Sequence, residues 1–131
     1  MAYKAELKVD GYNRKDEDPN NVRKCNYRLS RLTSYNEPTS DLRGGEIHLE
    51  INSSEKDNFF VDWMNTYDKG KKGSVLFKSA EEETVRTLEF SDAHLSNYME
   101  AFTADGENIE SFTIVTQDLK INGTEIEVNK G

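Results

Sequence analysis

The sequence predicts a mainly β fold, with two packed antiparallel sheets forming a barrel-like sandwich and one amphipathic α-helix at the side. Apolar residues recur at every second position through most of the 131-residue chain, which is the period of a strand with one buried face. Turn signals separate these segments at short intervals. One segment changes to helical spacing, and such a helix must bury its apolar side against the sheets. The length suits a single domain, residues 1–131.

Three strands are predicted in the first part of the chain. Their inward-facing residues are, strand by strand, Tyr3, Ala5, Leu7 and Val9; Cys25, Tyr27 and Leu29; and Ile47, Leu49 and Ile51. The second strand is predicted to continue to about Thr33, and the third to run from Glu46 to Ile51. Polar segments with turn-forming residues, 12–21 and 34–45, are predicted to be loops.

The helix is predicted at about residues 55–66. One stripe holds its large apolar side chains at helical spacing, and these are Phe59, Phe60, Trp63, Met64 and Tyr67. Ser54 and Asp57 resemble a capping box. Lys69 suits the negative end of the helix dipole, and Gly70 is the predicted stop.

Further strands are predicted after the helix. Val75 and Phe77 belong to one strand, and the segments that follow are 85–90, 94–103, 109–119 and 125–128. The pair Asp105-Gly106 indicates a hairpin turn between the strands at 94–103 and 109–119. A chain of seven or eight short strands of this kind favours a sandwich or a small barrel.

The charge and the cysteine count exclude several function classes. The net charge is −8, from 17 basic and 25 acidic residues, which disfavours nucleic acid and anionic membrane surfaces as partners. A single cysteine, Cys25, excludes a disulfide framework within the chain and a cysteine-rich zinc site. No apolar run is long enough to insert in a membrane. The N-terminus lacks a signal-peptide pattern, so we expect any export to bypass a cleavable leader.

The residues that could perform chemistry do not form a catalytic or metal-binding pattern. His48 lies between Glu46 and Glu50 on one strand face, but a metal would need further ligands. Cys25 lies at an inward-facing position of its predicted strand, where a buried, unreactive thiol is expected. From the residues alone we therefore predict no catalytic residue, no metal site and no cofactor. The Arg43-Gly44-Gly45 motif occurs once in an acidic chain, and we interpret it as a tight corner in which glycine supplies a positive φ.

Four segments, taken in order and spacing, resemble one family. They are CNYRLSRLTSYNEPTSDLRGGEIHLEI, the WMN at 63–65, LEFSDAHLSNYMEAF and ESFTIVTQDLKI. They are similar to the Hcp (TssD) tube proteins of type VI secretion systems, in the form found in Bacteroidetes. The resemblance covers residues 22–121 and is most specific where the RGG motif enters the strand with Ile47, His48, Leu49, Glu50 and Ile51.

The resemblance implies a structural role without enzymatic activity. Hexameric rings would stack into a hollow tube that delivers effectors to target cells, with a contractile sheath and a spike protein as further partners. The protein would assemble in the cytoplasm and be secreted through the type VI apparatus, without binding nucleic acid or inserting in a membrane. The loop before the third strand would reach a neighbouring subunit or ring, and its candidate interface residues are Tyr35, Glu37, Pro38, Leu42, Arg43, Gly44 and Gly45.

Two other functions share the predicted fold. One is a monomeric or dimeric β-sandwich module that binds a ligand through its loops. The other is a small hydrolase that uses His94 with Asp92 and with Cys25 or a serine. Subunit mass separates the first alternative from a hexamer, and alanine at His94 tests the second.

Overall fold

A computed structural model describes the chain at residues 4–12, 22–30, 33–34, 37–38, 44–53, 58–66, 68–81, 83–106, 108–122 and 124–125. These residues form one α-helix, α1 (Phe59–Asn65), and ten β-strands. The strands are β1 (Lys4–Val9), β2 (Val22–Ser30), β3 (Thr33–Ser34), β4 (Glu37–Pro38), β5 (Gly44–Asn52), β6 (Lys71–Lys78), β7 (Thr84–Phe102), β8 (Asn108–Thr116), β9 (Asp118–Ile121) and β10 (Thr124–Glu125).

Eight strands form one curled antiparallel sheet, which confirms the predicted mainly β class. Its order is β1-β6-β7-β8-β5-β2, with β9 and β10 continuing from β7. The long strand β7 belongs to both halves of this sheet. Its first half, residues 84–93, pairs with β6 and β9 in a half-sheet that we call sheet A. Its second half, residues 94–102, pairs with β8 in sheet B, whose order is β7-β8-β5-β2.

The change of partner occurs at a sharp bend in β7. Asp92 has a φ of +49°, a backbone conformation that is uncommon outside glycine. A Cβ on Gly70 would lie 2.5 Å from the Asp92 Cα, so glycine is required where the chain passes this bend. The sequence prediction of two separate strands at 85–90 and 94–103 is therefore wrong, because the chain bends at Asp92 without leaving the sheet.

The core lies between the inner faces of the two half-sheets. Alternate residues of the predicted strands are buried as expected, and Ile47, Leu49 and Ile51 have no exposed surface. The second strand is less regular than predicted: it ends at Ser30, and Leu29 is 37% exposed. The segment predicted as one strand at 109–119 is interrupted at Gln117. There the Thr116 hydroxyl donates to the Ser91 carbonyl at 2.7 Å and accepts from the Asp118 N–H at 3.0 Å.

The helix fills one side of this core with its aromatic residues. Phe60 and Trp63 are buried, and the Phe60 ring stacks on Phe112 of β8 with centroids 4.2 Å apart. The Trp63 indole N–H donates to the Ala93 carbonyl at 3.1 Å, just past the bend in β7. Met64, predicted to belong to the same stripe, is instead 41% exposed. Tyr67 lies outside the described residues.

The helix is shorter than the predicted span of 55–66. It begins after Asn58 and ends before Thr66, whose hydroxyl donates to the Asp62 carbonyl and whose backbone is extended. The predicted stop at Gly70 is wrong, because the helix ends five residues earlier, and Lys69 is not in its last turn. Ser54 and Asp57, the predicted capping pair, lie outside the described residues. Asn and Thr have low helix propensity, which suits an early end.

Gly45 is required for a reason that the sequence interpretation missed. It lies inside β5, opposite Leu29 and Thr116, and it has no positive φ. A Cβ at this position would lie 2.4 Å from Cδ2 of the buried Leu119. The expectation of a left-handed corner at this glycine is thus wrong, and the close approach of β9 means that any side chain here would force the buried Leu119 to move.

Replacing Gly45 by alanine is expected to lower the free energy of unfolding by about 1–3 kcal/mol, the usual cost of overpacking a core. In the Leu119→Ala background, the same change should cost much less, because the clashing atoms are gone. Urea unfolding of the two single variants and the double variant measures this coupling. Additive effects would contradict the contact.

Candidate functional site

The predicted interface loop is only partly described. Glu37 and Pro38 form β4, which pairs with β3 in a small hairpin separate from the main sheet. Part of the predicted loop is therefore a two-stranded element. Gly44 and Gly45 begin β5. Tyr35, Leu42 and Arg43 lie outside the described residues, so the contact of this loop with another subunit stays a prediction.

The outer face of sheet B carries the polar residues that the β5 alternation predicted. Glu46, His48 and Glu50 face away from the core, and their cross-strand neighbours on β2 are Arg28, Asn26 and Lys24. Nε of Arg28 lies 3.8 Å from Oε2 of Glu46, with both side chains more than half exposed. Such an exposed pair contributes little to stability. Its effect is to leave the β2–β5 part of this face with matched charges.

On the same face, His48 contacts a side chain of the neighbouring strand β8. Its Nδ1 lies 3.1 Å from the Thr113 hydroxyl on β8, and the ring is half-buried. Among the described residues, no three His, Cys, Asp or Glu side chains are grouped so that they could hold a metal ion.

The histidine and the cysteine of the hydrolase alternative are not brought together. His94 pairs with Val115 on the outer face of sheet B, whereas Cys25 pairs with Leu49 and has the core-facing parity. Three strand spacings, about 14 Å, separate β7 from β2. Burial raises the pKa of the Cys25 thiol to about 12, which keeps it protonated at neutral pH. A Cys25–His94 pair therefore cannot form, because these side chains lie on opposite faces of different strands.

Sheet B has two free edges among the described residues. Strand β2 pairs with β5 on one side and has no hydrogen-bonded strand on the other. The second half of β7 pairs with β8, and the described residues supply no strand for its opposite side. These edges lie at the two ends of the order β7-β8-β5-β2. Unpaired edges of this kind are ready to pair with another chain.

A slot opens along the β2 edge. Strands β1 and β2 lie close together without pairing, and the space between them has a volume of about 730 Å³. Among the described residues, the charged ones that line this β1–β2 slot are Lys4, Arg23, Lys24 and Arg86. Its apolar lining includes Ala5, Val22, Cys25 and Phe77. Two of these cations are hydrogen-bonded within the subunit, Arg23 to the Asn52 side-chain oxygen and Arg86 to the Tyr27 hydroxyl.

The opposite edge, on β7, presents two apolar side chains and an acidic one. Phe102 is 64% exposed and Met99 is 58% exposed. Glu100 is also exposed, and its carboxylate accepts a hydrogen bond from the Ser53 hydroxyl. Glu100 pairs with Glu110 and Phe102 with Asn108, so both have the core-facing parity but lie where the sheet ends.

Sequence reasoning did not single out this edge. The sequence alternates in the way expected for core residues of one strand, at Tyr98, Glu100 and Phe102. Only the strand pairing shows that no described strand lies next to this part of β7 on its outer side. The available signal was Glu100, a charged side chain on the core-facing parity between two aromatic residues.

The described residues contain no helix with the length and apolarity needed to cross a membrane.

Comparison with known proteins assigns the family. The family model described as hemolysin coregulated protein Hcp (TssD) matches residues 1–129. Among solved structures, Hcp1 from Flavobacterium johnsoniae is similar, with a TM-score of 0.76 at 26% identity over 95% of this chain and 98% of that one. A search of curated proteins gave no match.

More distant structures share the fold. Hcp1 from Salmonella typhimurium has a TM-score of 0.70 at 14% identity, covering 96% of this chain and 92% of that one. A chain of the PVC sheath–tube complex, from an extracellular contractile injection system in the extended state, has a TM-score of 0.58 at 14% identity, covering 92% and 89%. Together with the family match, which confirms the resemblance seen in the sequence, these findings show that the chain belongs to the Hcp (TssD) family and is a structural subunit of a type VI secretion tube.

Proposed function

We propose that six copies of this chain close into a ring by joining the free β2 edge of one subunit to the free β7 edge of the next. Rings of this kind stack into a hollow tube. The observation that carries the proposal is that no described strand pairs with either outer edge of sheet B. A contact between two different edges is heterologous, and such contacts form a closed ring when the rotation between subunits is right.

The strand directions of sheet B favour this closure. Each of its neighbouring strands is antiparallel, and the sheet contributes four strands. With an even number of alternating strands, β7 of one subunit runs antiparallel to β2 of the next. The joined sheet then continues the same hydrogen-bonding pattern across the subunit boundary.

The two layers of the subunit suggest which side faces the hole. Sheet A and α1 lie on the core side of sheet B, so they belong on the outside of the ring, where the circumference is larger. Four strands about 4.8 Å apart, repeated six times, give an inner circumference of about 115 Å and a backbone diameter of about 37 Å. The polar outer face of sheet B then lines the channel, including Glu46, His48 and Glu50.

The loop before β5 supplies a second contact in this proposal. The β3–β4 hairpin pairs with no strand of the main sheet among the described residues. Residues Tyr35, Glu37, Pro38, Leu42, Arg43, Gly44 and Gly45 would contact a neighbouring subunit or the next ring, and the length of this connection favours a functional role.

The role of the tube is mechanical, and we infer no catalysis by the subunit. The tube assembles in the cytoplasm inside a contractile sheath, ends at a spike protein, carries effector proteins and leaves the cell through the type VI apparatus. The family match and the likeness to chains of contractile injection systems support these partners.

Negative-stain electron microscopy of the purified protein tests the assembly. We expect ring-shaped particles with sixfold symmetry and a central hole, and stacked rings at higher protein concentration. Compact particles of a single subunit or a dimer would contradict the proposal and favour the ligand-binding module instead.

A further inference from the structure

Strand β1 lies beside the same edge of β2 that the proposed ring uses. We propose that β1 covers this edge in a free subunit by pairing with β2, and that β7 of the next subunit displaces β1 when the ring forms. The structure described above, with β1 and β2 unpaired, is then the open form. This inference rests on the proposed ring and adds a control on its assembly.

The strand directions allow β1 and β2 to pair. Six strands follow one another in the order β1-β6-β7-β8-β5-β2, and each neighbouring pair is antiparallel. The two end strands therefore run in opposite directions, and joining them closes the sheet with its antiparallel pattern intact. Because β1 and β7 run in the same direction, either one can add to β2 in the antiparallel sense.

The backbone groups of β1 that do not bond to β6 are directed to the side where β2 lies. The Asp10 N–H donates to the Lys72 carbonyl at 2.9 Å, in a pair that continues the β1–β6 register. Hydrogen-bonded pairs alternate with non-hydrogen-bonded pairs along an antiparallel ladder. Ala5 and Leu7 therefore direct their N–H and C=O groups away from β6, towards the β1–β2 slot.

The backbone groups of β2 are arranged in the matching phase. The Ser53 N–H donates to the Asn108 carbonyl at 2.9 Å, in a pair that continues the β5–β8 register. By the same alternation, the even-numbered residues of β5 bond to β2. The β2 residues that direct their N–H and C=O groups away from β5 are therefore Cys25, Tyr27 and Leu29.

Both candidate partners match this edge equally well. Ala5 and Leu7 have core-facing parity in β1, as the three residues just named have in β2, so pairing keeps the apolar side chains on the inner face. Alternation along β8 likewise leaves Tyr98, Glu100 and Phe102 with their backbone groups directed to the β7 edge. Since a strand edge accepts one neighbour, β1 and β7 of the next subunit exclude each other.

Side chains already link the two half-sheets across the slot. Arg86 lies opposite Phe77, which lies opposite Ala5, so Arg86 belongs to the row of sheet A that faces the slot. Its guanidinium donates a hydrogen bond to the Tyr27 hydroxyl at 3.1 Å. This contact holds β2 near sheet A. Closing the remaining gap removes from water the apolar groups that line it, including Ala5, Cys25 and Phe77, which favours pairing.

A covered edge lowers the fraction of subunits that can join a ring. Apparent affinity is weakened in proportion to the fraction of molecules in the binding-competent state, so β1 raises the concentration at which rings form. Pairing also protects the free subunit, because an open strand edge is a template for nonspecific addition of other chains.

Proline at position 5 tests this control. It removes the N–H that Ala5 directs towards β2 and leaves the hydrogen bonds from β1 to β6 in place, since proline is tolerated where a strand edge has no partner. Ala5→Pro is expected to lower the subunit concentration for half-assembly by about threefold or more, measured by sedimentation velocity. Ala5→Ser retains the N–H at similar size and should assemble as the wild-type protein does. Circular dichroism checks the fold of both variants.

Hydrogen exchange of the wild-type protein provides an independent test. In free subunits, below the assembly concentration, the amides of Ala5 and Cys25 should both be protected, because both bond across the β1–β2 pair. In rings, Cys25 should remain protected by β7 of the next subunit, whereas Ala5 should exchange about tenfold faster or more. Mass spectrometry with fragmentation measures both amides after exchange is quenched.

The outcomes distinguish this control from the ring itself. If the wild-type protein forms rings but Ala5→Pro assembles no more readily than Ala5→Ser, or if the Ala5 amide exchanges equally fast in free subunits and rings, the covering by β1 is wrong and the ring proposal stands. Where Ala5→Pro does not fold, the exchange measurement decides alone. If the wild-type protein forms no rings, both proposals fail. Easier assembly of Ala5→Pro together with faster exchange of Ala5 in rings would establish the displacement of β1.

Discussion

Replacing Trp63 by alanine is expected to lower the free energy of unfolding by about 3–5 kcal/mol, the typical loss for a large buried aromatic residue. The side chain is 1% exposed and its N–H is bonded to the Ala93 carbonyl. The substitution leaves a cavity between α1 and β7. It also leaves a buried carbonyl without its donor, which costs further free energy.

Trp63→Phe is the matched control. It retains most of the apolar volume and removes the indole N–H, so its cost should be well below that of alanine. Urea unfolding followed by circular dichroism measures both variants, in the Phe102→Ala background so that assembly does not contribute to the apparent stability. A loss below about 1 kcal/mol for alanine would contradict the buried position of this residue.

Replacing Phe102 by alanine is expected to shift the protein from rings to single subunits at micromolar concentration. The side chain lies on the β7 edge that the proposed ring joins to the next subunit, and truncating an aromatic side chain that an interface buries typically costs about 2 kcal/mol or more. A closed ring of six repeats this loss at every contact. The fold of the subunit should be unchanged, because Phe102 is mostly exposed within it. Size-exclusion chromatography with light scattering measures the result.

Phe102→Leu provides the control at the same position. Leucine keeps an apolar side chain on the β7 edge, so rings should persist at a higher assembly concentration. Rings of Phe102→Ala with unchanged stability would show that the β7 edge contributes little, and another surface would have to hold the subunits together.

Local alternation was sufficient to predict the buried faces of the strands. Ile47, Leu49 and Ile51 are fully buried because the period of two places them on one face of any extended strand. The aromatic spacing likewise predicted the helix and its two buried residues, Phe60 and Trp63. Its ends were less predictable, since no side-chain hydrogen bond caps the helix at Asn58.

Contacts between distant segments explain what the sequence did not reveal. The buried residues of β7 fall at even positions up to Phe90 and at odd positions from Ala93. This change suggests two strands, but the strand is continuous and bends at Asp92. The glycine at position 45 is explained by the close approach of Leu119, which lies more than seventy residues away in the chain. Phe102 and Leu29 have core-like parity and are exposed because they lie at sheet edges.

The candidate contact surface depends on such distant pairings in the same way. Arg23 and Arg86 line one slot only because β1 and β2 remain unpaired beside the β6–β7 turn. The sequence shows these cations scattered along an acidic chain. The order of strands in the sheet brings these cations together at the β2 edge and places Glu100 at the β7 edge.

The measurement that tests the ring most directly is the mass of the purified protein in solution. One subunit has a mass of 15.0 kDa, so a closed ring of six has a mass of about 90 kDa. Light scattering at high protein concentration should give this value or its multiples for stacked rings. A stable particle with the mass of one or two subunits would contradict the account.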